Sequence, residues 1–380
     1  MLARKSLENL RTWVEINRRA CVQNYRLLRR LVGFRTKLWA VVKSNAYGHG
    51  IFVFSAVANK LGVDGFCVDS LIEGVKLRRE GIKKPILVLG PTLPNLFSEA
   101  RKHDVALTIS NFESLGALVK TSRPPQFHLK FDTGMRRQGF YPDDTPGVLG
   151  VLLSHNHGLH KSLRGICTHF AGANDFAHRG FTEKQFQKFL VVARAFEAAG
   201  FKKLIRHCAA TGGAMLDARY HLDAVRIGIG LYGLWPSEEF KRKFSKKVPL
   251  RPILSWRTVV TEVKALGRGD YVGYDLTERV RRRTTMAVIP LGYWHGLPRS
   301  LSSRGTVLVR GREAKVLGRV SMDLAAVDIG GLRVKVGDVA TLIGRDGKRE
   351  LRADRVAQAA GTTAYELLTR LNPLMERVIL

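Results

Sequence analysis

Leu38-Trp39-Ala40-Val41-Val42-Lys43-Ser44-Asn45-Ala46-Tyr47-Gly48-His49-Gly50 is an apolar run that ends on a lysine and then breaks into small residues, a tyrosine and glycines. A short apolar run bounded by turn residues reads as a strand. Seven further strand candidates follow: Gly65–Val68, Pro85–Leu89, Val105–Ile109, Phe127–Phe131, Gly165–Thr168, Ile205–Cys208 and Ala224–Gly228. Their spacing, about 27 residues on average, is the size of a βα unit. Amphipathic stretches lie between them. Tyr25, Leu28 and Leu31 share one helical face, as do Phe186, Phe189, Ala193 and Phe196. Eight strands with intervening helices predict an α/β chain whose residues 1–240 form a (β/α)8 barrel.

After Pro236 the texture changes. Lys241–Lys247 reads as a charged, exposed connector. Beyond it the strand candidates are Trp256–Val263, Thr284–Pro290, Thr306–Val309, Lys315–Val320, Ala325–Ile329 and Val339–Ile343, with no long helix before Ala353–Ala360. A second, β-rich domain over residues 250–380 is expected.

Composition narrows the function classes. The chain has 380 residues, 45% of them hydrophobic, enough for two cores. No run reaches the roughly 18 apolar residues of a membrane span, and Met1–Trp13 lacks the apolar stretch of a secretory signal. Cys21, Cys67, Cys167 and Cys208 share no disulfide or metal-ligand spacing, so buried free thiols, no metal and a cytoplasmic location are expected. The 63 Lys+Arg exceed the 32 Asp+Glu, giving a formal charge of +31. These cations are dispersed, and no zinc-finger spacing, RNA-binding aromatic box or basic heptad helix accompanies them. Nucleic acid is therefore not the expected partner.

A lysine delivered by a strand to a barrel mouth loses part of its hydration, which favours the neutral, nucleophilic amine. Here it stands inside A-V-V-K-x-N-A-Y-G-H-G, and the segment closely resembles the cofactor-lysine signature of the alanine racemase family at every fixed position. The resemblance extends from Trp13-Val14-Glu15-Ile16 to Tyr365-Glu366. It implies a pyridoxal 5′-phosphate enzyme that racemises an amino acid, with Lys43 as the Schiff-base lysine.

The other motifs carry the remaining roles by the same resemblance. Lys130-Phe131-Asp132-Thr133-Gly134-Met135-Arg136-Arg137 resembles K-x-D-T-G-M-x-R. It makes Arg137 the contact to the substrate carboxylate and cofactor phenolic oxygen. Lys130 takes the position that is carbamylated in some relatives. Thr168-His169-Phe170-Ala171 resembles T-H-F-A, placing His169 against the pyridine ring. Val225-Arg226-Ile227-Gly228-Ile229-Gly230-Leu231-Tyr232-Gly233 sets Arg226 before the pyridine nitrogen. Phosphate contacts fall to Tyr47, Thr211, the amides of Gly228 and Ile229, and Tyr365. Gly269-Asp270-Tyr271-Val272-Gly273-Tyr274 ends on the second base, Tyr274, and Gly318-Arg319-Val320-Ser321-Met322-Asp323 supplies the Met322 amide to the substrate. A tyrosine base needs its phenolate stabilised by cations; Arg319, His169 and His207 are the candidates. In relatives the tyrosine and methionine enter the other subunit's barrel, which implies a homodimer with shared active sites.

Departures from the family pattern are local. His207-Cys208-Ala209-Ala210-Thr211 replaces H-x-A-N-S, Gly273 and Asp275 flank Tyr274 where serine and glycine are usual, and Tyr293-Trp294-His295-Gly296 replaces Tyr-Ala-Asp-Gly. Asn174 stands where aspartate is usual, and the C-terminal Arg377-Val378-Ile379-Leu380 lacks the usual R-V-P-R-x-Y. Three other readings stay open: a racemase of wider specificity, serine or basic amino acids included, with Gly172 at a gate position; a non-catalytic pyridoxal-phosphate carrier; and a basic scaffold without activity.

Overall fold

The computed structural model describes residues 9–154 and 159–380. They divide into two compact units: Arg19–Ser44 with Ser55–Pro252, and residues 9–18 with Asn45–Phe54 and Ile253–Leu380. The first strand of the chain, β1 (Thr12–Ile16), belongs to the second unit.

The first unit is the barrel. Its strands are β2 (Lys37–Val41), β3 (Gly65–Val68), β4 (Ile86–Val88), β5 (Leu107–Ile109), β6 (Phe127–Lys130), β7 (Leu163–Cys167), β8 (Ile205–His207) and β9 (Ala224–Ile227). Each lies within two residues of its expected limits. They form two parallel four-stranded stretches, β4-β3-β2-β9 and β5-β6-β7-β8. The parallel bridge Leu87–Ala106 joins one seam. At the other, the amides of Asp223 and Arg226 donate to the carbonyls of Arg206 and Ala209.

One interior layer is unusually polar. Trp39 on β2 meets the rings of His128 on β6 and His207 on β8 edge-on, with centroids 5.6 and 5.0 Å away. Two glycines make this possible. A Cβ on Gly65 would lie 2.8 Å from the Trp39 ring, and one on Gly165 of β7 would lie 2.5 Å from His128 Nδ1. A close-packed interior offers no slack for either.

Two expectations about the helical layer change. Over α1 (Arg18–Val32) the buried stripe is Cys21, Asn24, Leu28 and Val32, with Tyr25 and Leu31 only half-buried. Asn24 tolerates burial because its amide donates to the carbonyls of Leu231 and Arg251 and accepts from the Arg251 amide. α2 (Arg179–Ala198) buries Phe186, Phe189, Ala193 and Phe196 as expected. The supposed connector is partly α3 (Glu238–Phe244), N-capped by Ser237. Its Phe240 is fully buried 4.7 Å from the Phe176 ring, so one apolar side chain anchors an otherwise charged segment.

The second unit is built on a ten-stranded sheet. Its further strands are β10 (Leu254–Val259), β11 (Glu262–Leu266), β12 (Tyr271–Val272), β13 (Glu278–Arg279), β14 (Thr284–Ile289), β15 (Thr306–Val309), β16 (Arg312–Leu317), β17 (Ala325–Asp328), β18 (Val339–Asp346), β19 (Arg349–Leu351) and β20 (Glu376–Ile379). The order is β11-β14-β17-β16-β15-β18-β10-β1-β20, with β19 on β18 and a separate β12–β13 hairpin. The single strand expected over Trp256–Val263 is two, β10 and β11. β1 is antiparallel to β10 and parallel to β20, so the two ends of the chain meet in one sheet. Among the described residues no helix is long and apolar enough to cross a membrane. All four cysteines are free and buried.

Candidate active site

Lys43 follows the end of β2. Its Nζ pairs with Asp69 Oδ1 at 2.9 Å, with the two side chains 38% and 52% exposed. The lysine has lost part of its hydration, as expected, and stands in a half-exposed ion pair of little net strength. Glu73 braces the same corner, accepting from the amides of Ser44 and Asp69 at 2.7 and 2.8 Å.

The next four residues adopt a rare conformation. Ser44, Asn45, Ala46 and Tyr47 have φ of 54, 55, 53 and 53°, a turn of left-handed helix without glycine. Each such residue costs about 1–2 kcal/mol, so surrounding bonds must hold them. Asn45 Oδ1 accepts from the Ile51 amide at 2.9 Å. The buried His49 donates from Nδ1 to the carbonyls of Ala46 and Tyr47 at 2.9 and 3.0 Å. Burial pushes the His49 imidazole down to about 4, so it stays neutral. At the end of the turn Gly48 (φ 82°) packs so tightly that a Cβ would lie 1.8 Å from the Leu368 carbonyl oxygen. Tyr47 lies beside Tyr365, ring centroids 6.0 Å apart. Burial and the Tyr47 neighbour raise the Tyr365 hydroxyl well above the usual phenol range.

The barrel mouth collects the other strand-end residues. Arg226 is buried, and its two Nη groups donate to the carbonyls of Thr168, His207 and Cys208 and to Nδ1 of both His169 and His207. Its Nε–H makes no hydrogen bond among the described residues. Burial holds His169 well below the normal histidine range, reinforced by the charges of Arg226, Lys130, Arg137 and Lys43. Of these cations Arg226 is in direct contact, its Nη2 3.1 Å from His169 Nδ1. His207 is held similarly low by burial, Arg226 and His128. Both histidines are thus neutral, which removes them as cations for a tyrosine phenolate.

Lys130 is buried and donates to Gln138 Oε1 at 3.0 Å, and burial lowers its pKa. Arg137 has an exposed side chain, but its amide is fixed by Asp132 Oδ2 at 2.8 Å. Desolvation opposes the Asp132 charge, yet the amides of Arg136, Arg137 and Gly134 outweigh it and hold the carboxyl below its usual range. Thr211 Oγ1 accepts from the Gly230 amide at 3.3 Å, tying it to the turn that holds Gly228 and Ile229. Gly172 packs closely: a Cβ there would lie 2.6 Å from that of His178.

In the second unit Tyr274 is 69% exposed on the β12–β13 hairpin, between Gly273 (φ 79°) and Asp275 (φ 59°). Val272 and Val280 root this hairpin in a small core with Leu266 and Leu317. The turn bearing Arg319 and Met322 packs against it, since a Cβ on Gly318 would lie 2.3 Å from the Val272 carbonyl oxygen. Arg319 pairs with Asp275 at 3.0 Å, so its charge is already partly met. Met322 is 55% exposed.

Asp69, Glu73, His128 and Arg377 escaped the sequence reading. Ser70-Leu71-Ile72-Glu73 does carry an S-x-x-E helix-start pattern, but nothing in it foretells the bonds to Ser44 and Asp69. Among the described residues no group of three His, Cys, Asp or Glu could hold a metal ion.

Residues 16–236 match the family described as alanine racemase, N-terminal domain, and residues 253–379 match alanine racemase, C-terminal domain. An alanine racemase of Desulforamulus reducens is 38% identical over 371 residues, covering 96% of this chain and 98% of that protein. One from Leptospira interrogans is 34% identical over 380 residues, covering 97% and 95%. Among solved structures, alanine racemase from Bacillus anthracis with bound L-Ala-P superposes with a TM-score of 0.90 at 33% identity, covering 98% and 95% of the two chains. The enzyme from D-cycloserine-producing Streptomyces lavendulae gives 0.89 at 32% identity, covering 98% and 97%.

Proposed function

The chain belongs to the alanine racemase family, and on that premise we propose that it interconverts L- and D-alanine with pyridoxal 5′-phosphate, two copies sharing their active sites. The observation that carries the reading is the convergence of Thr168, His169, His207 and Cys208 on the buried Arg226 guanidinium at the C-terminal ends of β7, β8 and β9, where such barrels do their chemistry.

The donor set suits the cofactor. Arg226 has only N–H groups to offer, and its Nε is the one left over by the protein. It would therefore donate to the pyridine nitrogen and cannot help that atom to hold a proton. His169, neutral and flat, would lie against the ring. Thr211, the Gly228 and Ile229 amides, Tyr47 and Tyr365 would hold the phosphate. When bound, the cofactor supplies an aldehyde that captures amines and a conjugated ring that draws electrons from the substrate Cα–H bond. The Arg226 contact makes that ring a weaker electron sink, which suits proton exchange over transamination.

Racemisation needs a proton taken from one face of Cα and returned on the other. Lys43 Nζ would move the proton of the D-enantiomer, and Tyr274 of a second copy that of the L-enantiomer. Asp69 holds Lys43 by a half-exposed pair, weak enough to exchange. Arg137 and the Met322 amide would bind the substrate carboxylate. The dimer is supported by apolar exposure on the two touching loops: Tyr271, Tyr274, Leu276, Met322 and Leu324 are each about half exposed or more, the mark of a surface with a partner. The D-alanine formed would feed peptidoglycan synthesis in the cytoplasm.

The test is a racemisation assay across the amino acids, with Lys43→Ala as control. Alanine turnover that vanishes, together with the visible chromophore of bound cofactor, in the Lys43→Ala variant is expected. Wild-type protein that neither takes up pyridoxal phosphate nor racemises any amino acid overturns the proposal.

A further inference from the structure

The buried histidine pair of the barrel interior has no part in the scheme above. His128 Nδ1 and His207 Nε2 are 2.9 Å apart, fully inside the barrel, and Gly165, between them on β7, is kept free of a side chain by the His128 ring and the Ile205 carbonyl oxygen. An apolar ring would fill the same space without the need to satisfy ring nitrogens in a dry interior. A histidine at 128 is therefore retained for what its nitrogen does.

Donor and acceptor roles in this chain are forced. Arg226 can only donate and stays charged, so His207 Nδ1, in hydrogen-bond contact with Arg226 Nη1, is an acceptor. A neutral imidazole with an unprotonated Nδ1 carries its proton on Nε2. That proton points at His128, whose Nδ1 must accept it. By the same logic His169 Nδ1 accepts from Arg226 Nη2 at 3.1 Å. Without an acceptor at 128, His207 would bury an unpaired N–H or turn over, and in the turned-over form an N–H would face the guanidinium.

We infer that His128 is a positioning residue for the cofactor: it locks His207 in the Nε2–H form, which holds Arg226 with Nε free to meet the pyridine nitrogen. This rests on the pyridoxal-phosphate reading of the barrel mouth. Trp39 completes the device by packing edge-on against both rings and blocking their rotation. Burial, then the charges of Arg226, Arg164 and Lys37, push the His128 imidazole down to about 3, so the acceptor stays neutral wherever the enzyme is folded.

The experiment uses full-length protein labelled with nitrogen-15 in histidine, with and without pyridoxal phosphate, and compares His128→Leu with His128→Asn. The wild type should show His207 protonated on Nε2 alone. His128→Leu leaves a buried donor unpaired and should weaken pyridoxal phosphate binding roughly tenfold, with a mixed His207 proton signal. His128→Asn keeps a carbonyl acceptor and should restore both. A proton on His207 Nδ1 in the wild type overturns the inference. So does unchanged cofactor affinity in His128→Leu, or equal loss in both variants, which would assign the effect to ring volume. Should the leucine variant not fold, the wild-type signal and the asparagine variant decide. Failure of the wild type to bind the cofactor sinks the functional reading instead, and is read apart from the imidazole signal.

Discussion

Arg377 donates from both Nε and Nη2 to the carbonyl oxygen of Gly48, at 3.3 and 3.1 Å. Its remaining N–H groups reach the carbonyls of Leu371, Asn372 and Met375. A residue three positions before Leu380 thus fastens the end of the left-handed turn that follows Lys43. Burial lowers this guanidinium to about 10, still charged at neutral pH. Replacing Arg377 by Lys keeps the charge but loses the fork that serves four carbonyls. A loss of about 2–3 kcal/mol in urea unfolding is expected. An unchanged midpoint would show that the clasp contributes nothing.

Gly48→Ala and Gly81→Ala separate strain from collision. Both glycines have φ near 80°, but Gly81 faces open space while a Cβ on Gly48 meets the Leu368 carbonyl. The Gly81 variant should lose about 1 kcal/mol or slightly more from backbone conformation alone. The Gly48 variant should fall well beyond that, or fail to accumulate as folded protein. Equal melting temperatures would contradict this packing.

Tyr274→Phe should slow proton exchange from L-alanine in deuterated water by about 10²–10⁴, and exchange from D-alanine far less, since Lys43 remains. Equal losses from both enantiomers would refute the division between the two bases.

Acid should loosen the fold early. His49, His128, His169 and His207 are all depressed by burial below the ordinary 6.5. The unfolded chain therefore takes up protons that the folded chain refuses. Their contribution is complete above pH 6.5 and is lost as pH falls from there toward about 4. Each histidine adds up to about 1.4 kcal/mol per pH unit to the slope. Chemical denaturation at pH 7, 6 and 5 should show this decline, and His128→Asn should make it shallower by close to one proton. A flat profile across that range would mean these imidazoles are charged inside the fold.

The barrel was legible in the sequence because strands buried on both faces leave uninterrupted apolar runs with turns after them, as at Leu38–Val42 and Ala224–Gly228. Arg137, His169 and Arg226 were singled out by the resemblance of the motifs around them, not by strand position. Long-range choices were not legible. That Thr12–Ile16 pairs with β10 and β20 depends on residues 238 or more positions away. The burial of Asn24 rests on partners at 231 and 251 that cannot be read locally. The same blindness hid His128, whose neighbour on strand β8 decides its protonation, and Asp69, which pairs with the Lys43 amine from the end of the neighbouring strand.

The glycine at 165 has a historical consequence. Because the imidazole of residue 128 and the carbonyl of Ile205 both fill the space where its side chain would be, the glycine cannot grow while that ring is in place. The dependence runs one way: residue 128 can change over a glycine, whereas a larger β7 residue requires that the ring on β6, and with it the forced proton on its neighbour, has gone and that the Ile205 backbone has shifted.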